Sequence, residues 1–337
     1  MGASAEASGE DSARIALAAV APPAPPARRQ LGRAVAIGAP LLYVAALATV
    51  IVSWGLPLAH DQLFFWLLLG LAAFSVPGWR SWGVMLLAWL PWLGLLVVYD
   101  ELRAAVSVVP ADAYAGAQIA LDKVVGAGAV PTVWLQQHLW SAGRLHWYDY
   151  AVWAVYMTHF FVVWLVAAML WRADRARFAR HALVTVVLTL SAFLVYWLYP
   201  AQPPWLAAEA GRIGAVERIV PLVWDHLGLT SVRSVYDNGD LVNTVAAMPS
   251  LHAAYPMMLL LFFWGAGRRV RIGLALYTLA MGYALVYSGE HFVTDILAGW
   301  VMAGLASAAV AVAFRVARRL RAGATLRAPM SPAPSRR

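Results

Sequence analysis

Two histidines in this sequence stand where a polar loop runs into an apolar stretch. His252 lies in M-P-S-L-H-A-A-Y-P (248–256) and His291 in Y-S-G-E-H-F-V-T-D-I-L-A-G (287–299). Asp295 follows His291 by four residues, so on a helix the two side chains share a face. Such a set suits phosphorus chemistry. Phosphoryl transfer needs a nucleophile, a proton donor for the departing oxygen and a positive field around the phosphoryl oxygens. A carboxylate that holds one imidazole nitrogen fixes the tautomer and leaves the other nitrogen free to attack. Helix N-termini add to the positive field.

The neighbours of both histidines fit helix starts. Pro249 suits a first turn, and Ser250 can bond either free backbone N–H groups or a phosphate. Gly289 permits a tight turn, and Glu290 sits at the start of the second helix with a place in the substrate-binding set. Plainer readings stand beside these: a capped helix with an interfacial histidine, and a His–Asp pair that stitches helices together. A metal is not expected, because a catalytic zinc needs three ligands and the sequence carries neither HExxH nor a cysteine set.

The elements that position these residues belong to a membrane. The 337 residues are 62% hydrophobic and 12% charged, with mean hydropathy +0.67; a soluble domain carries about twice that charged fraction. Apolar runs of roughly twenty residues recur, each long enough to cross a hydrocarbon core. The absence of cysteine excludes disulfides, thiolate catalysis and Cys-ligated metals. The expected fold is an all-α polytopic bundle of about eight spans, near 34–54, 62–77, 82–99, 148–171, 181–199, 249–265, 271–288 and 291–314. Spans two and three read as a tight hairpin across Gly78 to Ser81. Residues 1–30 and 321–337 read as disordered tails around one membrane-embedded catalytic domain, 31–320.

Basic residues orient the bundle. The segments 1–33, 78–81, 172–180, 266–271 and 315–337 hold 19 of the 25 Lys and Arg residues. The alternate segments hold Arg103, Lys123, Arg144, Arg212, Arg218 and Arg233. The positive-inside rule then puts both termini in the cytoplasm, with the plasma membrane the expected location, and puts His252 and His291 at the extracytoplasmic face. The long outer segments 100–147 and 200–248 mix Trp, Tyr, Pro and charge with apolar patches, and read as interfacial or re-entrant pieces that cap the mouth.

The two histidine motifs resemble the second and third signatures of the type 2 phosphatidic acid phosphatase superfamily. Within it they look most like the branch of inositol phosphorylceramide synthases and their bacterial relatives. Y-D-E-L-R (99–103), Y-M-T-H-F (156–160) and Y-P-A-Q-P-P-W (199–205) add weaker matches, so the likeness runs from about 99 to 300. The resemblance implies a helix-bundle core that works without metal or other cofactor. It implies that His291 becomes a phosphohistidine, that Asp295 orients it, and that His252 protonates the leaving group.

Two departures bear on the substrate. The superfamily's first signature, Lys-x6-Arg-Pro, is missing, and Ala284 and Leu285 stand where the third has Ser-Arg. Phosphatases of the group use those cations to hold a dianionic phosphomonoester, so their loss resembles the synthase branch, which handles a singly charged phosphodiester. Arg103, which closes Y-D-E-L-R, is the first candidate for a replacement cation and Arg233 the second; each reads equally as a snorkelling interfacial arginine. His159, about twelve residues into span four, either lines the acceptor channel or bonds a neighbouring helix, and Tyr156 shares its face.

The leading expectation is a membrane lipid phosphotransferase. A lipid-phosphate or phospholipid is the donor, a polyol such as inositol or a lipid hydroxyl the acceptor, and nucleic acid is not a partner. A lipid phosphate phosphatase with water as acceptor is the second reading, and a lipid-binding transporter or scaffold the third.

Overall fold

The structure, a computed structural model, describes residues 26–54, 60–74, most of 83–98, 114–229 and 245–327. Y-D-E-L-R with Arg103, Arg233, and the hairpin turn expected at Gly78 to Ser81 lie outside the described residues.

The described chain is helical throughout. Its elements are α1 (Pro26–Trp54), α2 (His60–Phe74), α3 (Gly83–Trp92), α4 (Gly116–Val125), α5 (Pro131–Leu139), α6 (Trp147–Met157), α7 (His159–Ala173), α8 (Arg175–Leu198), α9 (Pro204–Glu209), α10 (Ile219–His226), α11 (Leu251–Phe262), α12 (Arg268–Tyr287) and α13 (Val293–Arg327). Extended pairing among the described residues is confined to isolated bridges. Helix α1 begins at Pro26 and α13 runs on to Arg327, so helix reaches into both segments expected as tails.

The chain is a polytopic membrane bundle. Three helices are long and apolar enough to cross a bilayer: α8, α12 and the part of α13 up to Leu320. Helices α6 and α7 make a fourth if taken as one span, bent by 45° where the sequence suggests one continuous helix. The bend has a local cause. The Thr158 hydroxyl donates to the Val155 carbonyl at 2.6 Å, a side-chain bond that competes with the helical ladder. Among the remaining expected spans, α11 has twelve residues and is about 18 Å long, short for a full crossing.

The main core lies between α7, α8, α11 and α13, with α2 and α3 against its outer side. Trp89 and Trp92 of α3 are fully buried there, against Phe178 and Trp164. Asp174 caps α8 by accepting from the N–H groups of Ala176 and Arg177, both at 3.0 Å.

Two contacts bring the starts of α11 and α13 together. The Ser250 N–H donates to the Asp295 carbonyl at 3.0 Å. A Cβ on Gly299 would collide with the Ser250 carbonyl oxygen, so only glycine lets the backbones approach this closely. Pro249 lies ahead of the Ser250 cap rather than within the first turn, and its carbonyl accepts from the Tyr196 hydroxyl at 2.6 Å.

The segments 114–147 and 200–229 fold into the short helices α4, α5, α9 and α10. They sit over the end of the bundle where α6, α11 and α13 begin, with α4 against α13, α5 against α12 and α10 against α6. Backbone bonds pin three chain segments there: Tyr114 N to the Pro200 carbonyl at 2.8 Å, Ala201 N to the Val245 carbonyl at 2.7 Å, and Ala247 N to the Ala201 carbonyl at 3.1 Å.

Candidate active site

Helix α12 ends at Tyr287, and the chain reverses at Gly289, whose φ is +82°. A Cβ there would also lie 2.8 Å from the Glu217 carbonyl oxygen, so both conformation and space select glycine. Beyond the turn, the N–H groups of Glu290 and His291 both donate to the Leu285 carbonyl, at 3.1 and 3.2 Å. This fixes His291 in the loop, two residues before α13.

Asp295, fully buried in the first turn of α13, does two things with one oxygen. Its Oδ2 accepts from the Phe292 N–H at 2.9 Å and faces His291 Nδ1 at 3.5 Å. The second distance is at the outer edge of hydrogen bonding, and such contacts tighten when substrate fills a site. With Nδ1 turned to the carboxylate, Nε2 is the nitrogen left for chemistry.

His252, on the first turn of α11, has its ring centroid 5.6 Å from that of His291. Its Nε2 is buried and hydrogen-bonds no atom of the described residues. His159 lies against it face to face, with centroids 3.8 Å apart and planes 25° apart. Tyr156 stacks on the same imidazole at 4.8 Å, and Tyr255 stacks on His159 at 5.3 Å. The break at Thr158 thus delivers both predicted residues of α6 and α7, Tyr156 and His159, to His252. Ser250 is fully buried, and its hydroxyl accepts from the Ala253 N–H at 3.3 Å as the α11 cap.

Glu290 makes a two-pronged ion pair with Arg218, Nε to Oε1 at 3.3 Å and Nη2 to Oε2 at 3.2 Å. The guanidinium also lies over the Trp205 ring at 4.3 Å. Gln136 clamps this corner, donating to the Glu217 and Tyr287 carbonyls and accepting from the Glu217 N–H at 2.8 Å. In the sequence Arg218 is one more outer arginine; only the fold sets it beside the His291 loop.

Asp122 is the residue that sequence reasoning missed most completely. Fully buried on α4, it accepts at Oδ2 from Val293 N (3.0 Å) and at Oδ1 from Thr294 N (2.9 Å) and the Thr294 hydroxyl (2.6 Å). With Asp295 on Phe292 N, carboxylates occupy the first amides of α13. The expected phosphate field from this helix terminus is therefore already taken up. Among the described residues, no three His, Cys, Asp or Glu side chains are grouped to hold a metal ion.

An all-helical bundle that converges two motif histidines on one spot defines a protein class. The profile of the PAP2 superfamily matches residues 120–309, more than half of the chain and every described site residue above, and the chain belongs to that superfamily. Within it, the chain is 30% identical over 172 residues to a phosphoinositol dihydroceramide synthase of Bacteroides thetaiotaomicron, across 46% of this chain and 53% of that protein. The chain thus spans about half the length of the curated relative it matches. No solved structure matches it.

Proposed function

We propose that this protein is a membrane lipid phosphotransferase that works through a phosphohistidine. The observation that carries the reading is the pair His252 and His291, 5.6 Å apart between ring centroids, with Asp295 on the far nitrogen of His291. That separation lets both imidazoles reach one phosphoryl group. Nε2 of His291 attacks phosphorus, the bond from phosphorus to the donor's alcohol oxygen breaks, and His252 gives that oxygen a proton. An acceptor hydroxyl then attacks phospho-His291, His252 takes its proton, and the imidazole of His291 is released.

The name of the Bacteroides relative joins a phosphorylated polyol to a ceramide. This supports, for the present chain, a lipid donor and a polyol or lipid hydroxyl acceptor, and exchange rather than hydrolysis. Asp295 works without a metal in this scheme, as a fixed carboxylate that stabilises the imidazolium.

A cation must meet the phosphoryl oxygens. Arg218, held beside His291 by Glu290, is our candidate, with Glu290 acting through it; Arg103 and Arg233 remain the candidates from sequence. Ser250 contributes at the α11 start. The orientation follows from charge: the arginines of α8, α12 and α13 gather where α8 and α12 begin and α13 ends, opposite the imidazoles. This supports cytoplasmic termini and an outward-facing site.

The test is to incubate the purified protein in lipid with an isotope-labelled phospholipid and a panel of polyol and lipid acceptors, then read products by mass spectrometry. A new phospholipid that vanishes in His291→Ala is expected. Free phosphate or a phosphomonoester alone would instead make water the acceptor and the protein a phosphatase.

A further inference from the structure

A cavity of about 700 Å³ opens between α8 and α13, far from the imidazoles. Arg180 and Leu183 of α8 line it, with Phe314, Arg315, Arg318 and three alanines of α13. Arg315 lies twenty residues beyond Asp295 on one helix, about 30 Å along its axis. That is the thickness of a hydrocarbon core, so the cavity sits at the opposite membrane face.

The lining has an unbalanced charge. Three exposed arginines line it, with the Arg180 guanidinium also 6.0 Å from the Phe262 ring; no carboxylate lines it, and none of the three pairs with a carboxylate of the described residues. Like charges held together in a partly apolar cleft call for an anion, and planar guanidiniums match phosphate oxygens two at a time. The rest of the lining is apolar. Leu183 and Phe314 are 41% and 43% exposed at its edge, on two helices long and apolar enough to span a bilayer.

We propose that this cavity binds the head group of an anionic glycerophospholipid from the leaflet opposite the imidazole pair. The guanidiniums take the phosphate, and Leu183 and Phe314 take the start of an acyl chain. The volume suits a head group with its first methylenes, within the usual range of small-ligand pockets. The apolar half of the lining is what favours a lipid over a soluble phosphate, and basic pockets between spanning helices hold anionic lipids in this manner. The site is independent of the reaction at His291.

Native mass spectrometry of the whole protein in detergent, with phosphatidylglycerol and phosphatidylcholine in equal amounts, tests the proposal. Retention of phosphatidylglycerol should exceed that of phosphatidylcholine. The variant Arg180→Gln/Arg315→Gln/Arg318→Gln should lose that preference by about tenfold or more. A charge-matched variant, Arg268→Gln/Arg269→Gln/Arg271→Gln, removes three arginines from the same end outside the cavity and should keep it. Equal loss in both variants, an unchanged preference in the first, or displacement of the lipid by millimolar inorganic phosphate would each overturn the proposal.

Discussion

Asp122 and Thr294 are bonded twice, the carboxylate oxygen of one accepting from both the backbone N–H and the hydroxyl of the other, at 2.9 and 2.6 Å. This joins the short helix α4 to the first turn of α13, one residue from Asp295. A buried contact outside the histidine hairpin therefore sets how the helix that orients His291 begins.

Asp122→Ala leaves two amides and a hydroxyl of that turn without their acceptor. The expected cost is about 1–3 kcal/mol, seen as a lower thermal midpoint in detergent. Because the loosened turn carries Asp295, kcat should fall more than KM rises. Asp122→Asn, which keeps one acceptor oxygen, should lose less on both counts. A variant as active and stable as the wild type would remove Asp122 from the account.

The close approach at Gly299 makes a second test. Gly299→Ala puts a methyl group into the Ser250 carbonyl and must part α11 from α13. Overpacking of this kind costs about 1–3 kcal/mol, and here it also separates the imidazoles, so activity should drop at least tenfold by the product assay, a loss of the size small misplacements cause. Gly304→Ala, on the same helix with open space around its Cβ, should be neutral.

His159 lies face to face with His252, and we propose that it holds the ring plane. His159→Phe keeps a flat ring against His252 and should retain most of kcat. His159→Ala removes the stack and should lower kcat by about fivefold, in line with a stacking contribution near 1 kcal/mol. Equal loss in both variants would point to a role for the imidazole nitrogens instead.

Arg218 and Glu290 separate by a double variant. If Glu290 serves to hold Arg218 toward phosphate, Arg218→Gln and Glu290→Gln should each raise KM for the lipid donor, and Arg218→Gln/Glu290→Gln should be no better than Arg218→Gln alone. Recovery of wild-type KM in the double variant would make the pair purely structural.

The fold class and the core of the site were legible because their signals are local. Apolar runs mark helices, and the spacing from His291 to Asp295 pairs the two; His291 lies in the loop two residues ahead of α13 rather than on its face, yet its Nδ1 still comes within 3.5 Å of the carboxylate. Positive-φ demand at Gly289 is equally local. The bend at Thr158 was not, since nothing in Y-M-T-H-F separates a continuous span from a broken one; yet that bend brings His159 against His252. Asp122 and Arg218 were hidden for another reason. Each meets its partner across 171 or 72 residues of chain, and a lone carboxylate or arginine between apolar runs carries no pattern that names its partner.

In the proposed reaction His291 takes phosphorus from the donor. The decisive experiment quenches the enzyme during turnover of a donor labelled at phosphorus, digests it under mildly basic conditions that preserve phosphoramidates, and maps the label by mass spectrometry. An acid-labile phosphate on His291, absent in His291→Ala, is the expected result. Label on His252 or another side chain, or full turnover in His291→Ala, would contradict it.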